Sequence, residues 1–151
     1  IYTGEDTLSL HDALPILSGP LLDRLDLQVE VPALLPHELR APVEPQGTTA
    51  WWRERVAVAR ERQVRRQTSF GITTPNARLA DRQLERACAA DDTTLRAVDD
   101  VLRLHHQSGR GRVRLLRLAR TVADLDDRAA VTDGDVFEAA ALRGFAAVRS
   151  P

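Results

Sequence analysis

The 151-residue sequence contains no lysine: its 21 basic residues are all arginine. That absence excludes chemistry. A Walker A phosphate loop needs a lysine to reach the β/γ-phosphates, and a Schiff-base or pyridoxal enzyme needs a lysine amine, so this chain alone can build neither. The same bias also arises where a GC-rich coding sequence makes lysine codons rare. Cysteine is nearly absent too. The single Cys88 rules out an internal disulfide framework and a multi-cysteine zinc site, which makes a reducing, cytoplasmic setting the default expectation. On a helix behind Leu84 it reads as a small apolar residue. Eight glycines and eight prolines are too few for a collagen-like or low-complexity chain. No apolar run approaches the roughly 18 residues of a membrane span, and residues 1–17 carry acids rather than a basic leader, so no membrane partner is expected. A formal charge of -1 argues against coating nucleic acid through bulk charge and leaves only local patches. What is present, 43% hydrophobic and 28% charged residues, fits one globular domain or a piece of a larger protein.

Along the chain, residues 1–16 fit neither a strand nor a capped helix, and the run DTLSLHDALPI resembles a translated sequencing-adapter read. They are expected to be a non-native leader. From Ser18 the text changes: a Gly-Pro turn and the step LLDRLD lead into DLQVEV, where Leu27, Val29 and Val31 alternate with polar residues and predict one strand closed by Pro32. A lone strand needs sheet partners elsewhere. Residues 32–48, with Pro32, Pro36, Pro42, Pro45 and Gly47, read as a linker. Everything later reads as helices: about 49–67, with Trp52, Val56, Ala59 and Gln63 on one stripe; about 80–89; a helix capped by Asp91 or Asp92; one from SGRG to about Leu125; and a last one at VTDGDV, capped by Thr132 with Asp135 returning the bond. The fold class is mainly α, a helical bundle preceded by one β-strand.

No nucleophile elbow or zinc-protease motif occurs, and His105 and His106, adjacent on a helix, diverge by about 100° and cannot easily share an ion. No metal site is expected. Trp51 and Trp52 could stack on bases, but at the start of an amphipathic helix Trp52 reads as core and Trp51 as a packing edge. Two arginines have sharper settings. Arg24, in LLDRLD, lies at an element end from which it could cross a subunit boundary, and Arg110 opens a helix after Ser108-Gly109, where free N–H groups and the helix dipole favour a phosphate. For each, a surface arginine in a weak ion pair is the plainer alternative.

SGPLLDRLDLQVEVP resembles the end of the AAA+ core in the magnesium-chelatase-like ATPases of the ComM/YifB group. RERVAVARERQVRRQ, PNARL and SGRGRVRLLRLARTVADLDD are similar to that family's C-terminal lid, and Ser108, Arg110, Arg114, Arg117, Arg120, Thr121, Asp124 and Leu125 fill its long string in register. Gly111-Arg112-Val113 departs from the family pattern, which leaves the local surface open. The resemblance implies a division into leader (1–16), end of the core strand with linker (17–48) and helical lid (49–148). It further implies a hexameric, ATP- and Mg2+-dependent machine acting on DNA, associated in ComM-type members with natural transformation. Arg24 matches the arginine finger, acting in trans; Arg110 matches the sensor-2 region, acting in cis, with Arg114 or Arg117 as the fallback. Walker A, Walker B and sensor 1 would lie before residue 17, so this chain is expected to be a fragment that binds and hydrolyses no ATP alone. The rival readings are an arginine-rich DNA-binding module, tracking phosphates with Arg103, Arg110, Arg112, Arg114, Arg117 and Arg120, and an oligomerisation module.

Overall fold

A computed structural model describes residues 25–29, 31–37, 40, 47–71 and 74–145. Arg24 and the adapter-like leader lie outside the described residues. Five α-helices are present among those described: α1 (Thr49–Ser69), α2 (Asp81–Cys88), α3 (Asp92–Leu104), α4 (Gly109–Leu125) and α5 (Asp133–Ala141), with a 3-10 turn at Asn76–Arg78.

Local chemistry sets the boundaries. Thr48 Oγ1 accepts the Trp51 N–H at 3.3 Å, and an Asp91 carboxylate oxygen accepts the Thr94 N–H at 2.8 Å, each satisfying a donor that the first turn leaves without a helical partner. At α5 the capping box closes in both directions. Thr132 Oγ1 accepts the Asp135 N–H at 3.4 Å while the Asp135 carboxylate accepts the Thr132 N–H at 2.8 Å. Left-handed residues turn the chain after α2 and α4, at Ala89 (φ 46°) and Asp127 (φ 65°).

The core gathers around α4. Its Leu115, Leu116, Ala119 and Ala123 meet Leu84 and Ala87 of α2, Val98 and Val101 of α3, and Val136, Ala139 and Ala140 of α5. Each fully buried leucine or valine contributes roughly 1.5–3 kcal/mol. Val131 N–H donates to the Cys88 carbonyl at 2.8 Å, which ties the α4–α5 connection to the end of α2.

Helix α1 departs from the expected stripe. Ala59, Gln63 and Gln67 are buried, but Trp52 and Val56 are half exposed, at 50% and 49%. Arg55 reaches Leu125 and Asp126 at the end of α4, and Trp52 lies before it in α1. The expectation of Trp52 as core and Trp51 as edge is therefore reversed: Trp51 is the more buried of the two, and the rings meet edge to face at 4.6 Å beneath the Arg55 guanidinium.

The predicted strand is not formed among the described residues: Asp26 lies in a bend, and 27–29 and 31 carry no ladder. Leu27, Val29 and Val31 are exposed at 52%, 62% and 84%. One backbone bond anchors the run, from the Gln28 N–H to the Leu142 carbonyl at 2.8 Å. Gln28 lies so close to Gly144 (φ +71°) that a Cβ there would sit 2.5 Å from Gln28 Oε1. Only glycine fits both that backbone and that approach.

Candidate functional site

Helix α4 carries charge against its own dipole at both ends. A helix N-terminus is partially positive and its C-terminus partially negative, so acids favour the first turn and bases the last. Here the first turn has no acid and bears Arg110 and Arg112, while the last turn has no base and runs into Asp124, Asp126 and Asp127.

The acidic end is neutralised by α1. Arg66 bonds Asp124 through both Nη atoms, at 2.6 and 2.8 Å; Arg62 donates to the Asp124 carbonyl at 3.1 Å and pairs with Asp127; Arg55 donates to the Leu125 carbonyl and to Asp126, each at 3.2 Å. From the other side Arg120, fully buried, lies 2.9 Å from Asp124 and donates to the carbonyls of Ala87, Arg128 and Ala129. Asn76, from the 3-10 turn, donates to Asp124 at 2.8 Å and to Thr121 Oγ1 at 3.2 Å. Burial alone would push the Asp124 carboxyl up. The bonds from Arg66 and Asn76 and the charges of Arg120 and Arg66 outweigh it and hold the carboxyl below the usual carboxylate range. Burial lowers Arg120, opposed by the Asp124 charge.

This seam explains much of the string read from residue 108 onward. Arg120, Thr121, Asp124 and Leu125 form the joint that docks α1 and closes the α4–α5 turn. Sequence reasoning missed Arg55, Arg62 and Arg66 altogether; the available signal was the acid run Asp124–Asp127 at a helix C-terminus, which demands basic partners from another element.

The basic end has no such covering. Arg117 is spent structurally, donating from Nε and Nη2 to the Leu79 carbonyl at 3.2 and 2.7 Å. Arg112 pairs with Glu85 at 3.4 Å and Arg114 with Asp26 at 3.4 Å. Arg110 is exposed and has no hydrogen bond or ion pair among the described residues, and Ser108 caps the helix without a side-chain bond. Gln107 seals the turn below it: a Cβ on Gly111 would meet Gln107 Oε1 at 2.8 Å and Gln107 Cβ at 2.9 Å. Of the two expected lid arginines, Arg110 thus stands free and Arg114, one turn on, is tethered. The fallback Arg117 is unavailable. The continuous stripe from Arg103 to Arg120 does not exist as a surface either, because Arg120 is buried, Arg117 is consumed and Arg103 pairs with Asp100 on its own helix.

Cys88 is buried, as expected behind Leu84, and burial pushes its thiol up to about 11 despite nearby Arg120 and Arg66. His105 lies flat against Phe145, with centroids 4.5 Å apart, rather than open on the surface, while His106 is exposed at a left-handed φ of 50°. No helix of the described residues is long and apolar enough to cross a membrane.

The profile of a protein family described as magnesium chelatase, subunit ChlI C-terminal, matches residues 46–143 of this mainly helical chain, and the chain belongs to that family. Among curated relatives it is 38% identical over 110 residues to the YifB protein of Salmonella typhimurium, covering 73% of this chain and 21% of that protein. It is 35% identical over 127 residues to YifB of Escherichia coli and 34% identical over 127 residues to the competence protein ComM of Haemophilus influenzae, in each case covering 84% of this chain and 24% of the relative. The chain therefore spans about a quarter of the length of these relatives.

Proposed function

We propose that this chain is the lid of a larger AAA+ ATPase of the ComM type, and that α4 presents Arg110 to a nucleotide phosphate whose loop lies on the rest of that protein. The observation that carries the reading is the asymmetry of α4. Its acidic end is neutralised by three arginines of α1, whereas its own first turn holds no acid and an Arg110 guanidinium with no partner among the described residues. A phosphate fits that end: the dipole, the amides and the guanidinium all favour an anion. Arg110 and, once released, Arg114 would hold it in cis, and Arg24 would act as the arginine finger toward a neighbouring copy in a ring, expected to be a hexamer. When bound, ATP with Mg2+ would supply the energy for remodelling DNA. In support, the relatives include a competence protein, and the chain covers only about a quarter of their length.

An arginine-stripe DNA-binding module is disfavoured by the loss of Arg117 and Arg120 from the surface. On the 151-residue chain, calorimetry with inorganic tripolyphosphate is expected to give weak binding that falls about tenfold in Arg110→Ala, the loss of roughly one charge-assisted bond. Equal affinity in the variant would sink the reading. The same chain is expected to hydrolyse no MgATP; sustained turnover abolished by Arg24→Ala would contradict the division of labour.

A further inference from the structure

The segment around Asp26 does more than precede the bundle. It lies across α4 and closes a cleft of about 130 Å³ lined by Asp26, Leu27, Ala77, Arg114, Arg117 and Leu118. Two guanidiniums line this cleft, and they are held in different ways. Arg117 is bound by a forked pair of bonds to the Leu79 carbonyl. Arg114 makes one contact among the described residues, from Nε to the Asp26 carboxylate at 3.4 Å, and leaves both Nη atoms without a bond.

We propose that the Asp26 carboxylate is an internal occupant of an anion site centred on Arg114, so that the segment carrying it keeps the site closed until a phosphate-bearing ligand displaces it. This deepens the reading of α4 as a phosphate-binding helix and rests on it.

Three observations support an exchangeable contact. The Asp26 side chain is 73% exposed, so solvent screens the pair and makes it weak, whereas the Arg114 side chain is 27% exposed and partly shielded. The segment is tethered two residues away, through the Gln28 N–H to Leu142 and the fit of Gln28 on Gly144, so Asp26 can leave Arg114 while remaining close by at high effective concentration. Arg110 lies one helical turn from Arg114 on the same face and has no partner among the described residues. A ligand with two adjacent anionic groups, such as a polyphosphate, can span both guanidiniums; a single carboxylate cannot.

The test uses the 151-residue chain, inorganic tripolyphosphate as probe, and side-chain and amide NMR shifts as readout. Asp26→Asn is expected to tighten binding about two- to fivefold, the strength of a partly exposed pair. Gln28→Pro deletes the tethering N–H without changing charge and is expected to act in the same direction. Arg114→Gln is expected to weaken binding, and in that background Asp26→Asn is expected to do nothing. Equal tightening by Asp26→Asn with and without Arg114, or no effect of Gln28→Pro, would mean that only long-range charge is at work and would overturn the gate. Weakening by Arg114→Gln with Asp26→Asn silent removes the gate but keeps the phosphate site. No effect of Arg114→Gln with binding retained removes the gate and leaves the phosphate to Arg110, whereas no binding by any variant removes both.

Discussion

Asp124 holds a negative charge almost wholly out of water between two guanidiniums, with Asn76 completing its hydrogen bonds. Removing one partner of such a set strands the rest, which is why Asp124→Asn is expected to cost about 3–5 kcal/mol in urea unfolding at pH 7. The same group sets part of the acid sensitivity. Its folded-state pKa, like that of Asp135 with its bonds from Arg128 and Thr132, is lowered, so its contribution is present above the ordinary carboxylate value and is lost as pH falls through the folded one. Stability of the native chain is therefore expected to drop below about pH 4, and Asp124→Asn, weaker at neutral pH, to show a shallower drop there. A parallel denaturation series at pH 3 to 7 checks both; equal slopes would contradict the assignment. Cys88, with its thiol near 11 and its side chain inside the core, is expected to resist iodoacetamide at pH 8 until the chain is unfolded.

At the scale of elements, α4 organises the molecule because its two ends are treated differently. The turn before it is sealed by Gln107 against Gly111. An added methyl would meet Gln107 Cβ, which cannot swing aside as a side-chain tip could, so Gly111→Ala is expected to destabilise by about 1–2 kcal/mol although alanine is the better helix former. A rise in thermal midpoint would refute the packing account. The helices themselves were legible in the sequence. Thr48, Asp91 and Thr132 are capping residues ahead of amphipathic runs, and each sits where the chain enters a helix. Periodicity marks an inward face of α1 but not how far its neighbours extend, and Trp52 and Val56 on that stripe stay half exposed. The seam joining Arg66 to Asp124 spans 58 residues of sequence and exists only through the packing of α1 on α4. Alternation in DLQVEV predicts a strand that the described residues do not form, because a ladder needs a second strand. Arg110 was readable from the Ser-Gly step before it, whereas its lack of a partner required the positions of Glu85 and Asp26.

For the whole molecule, the open features lie on one side of the functional account. A run with exposed Leu27, Val29 and Val31, a helix end whose Arg110 is unpaired among the described residues, and relatives of which the chain spans about a quarter fit a lid that works against other parts of a larger protein. The absence of lysine belongs to the same scale: the chain is rich in arginine but cannot supply the lysine of a phosphate loop. The central claim is that Arg110 reads phosphate at a nucleotide site completed elsewhere. Steady-state ATP hydrolysis by the longer polypeptide that carries this chain, comparing Arg110→Ala with the exposed control Arg103→Ala, tests it most directly. A fall of about a hundredfold in kcat for Arg110→Ala, with Arg103→Ala near native, is the result the account predicts. Native turnover in Arg110→Ala would contradict it.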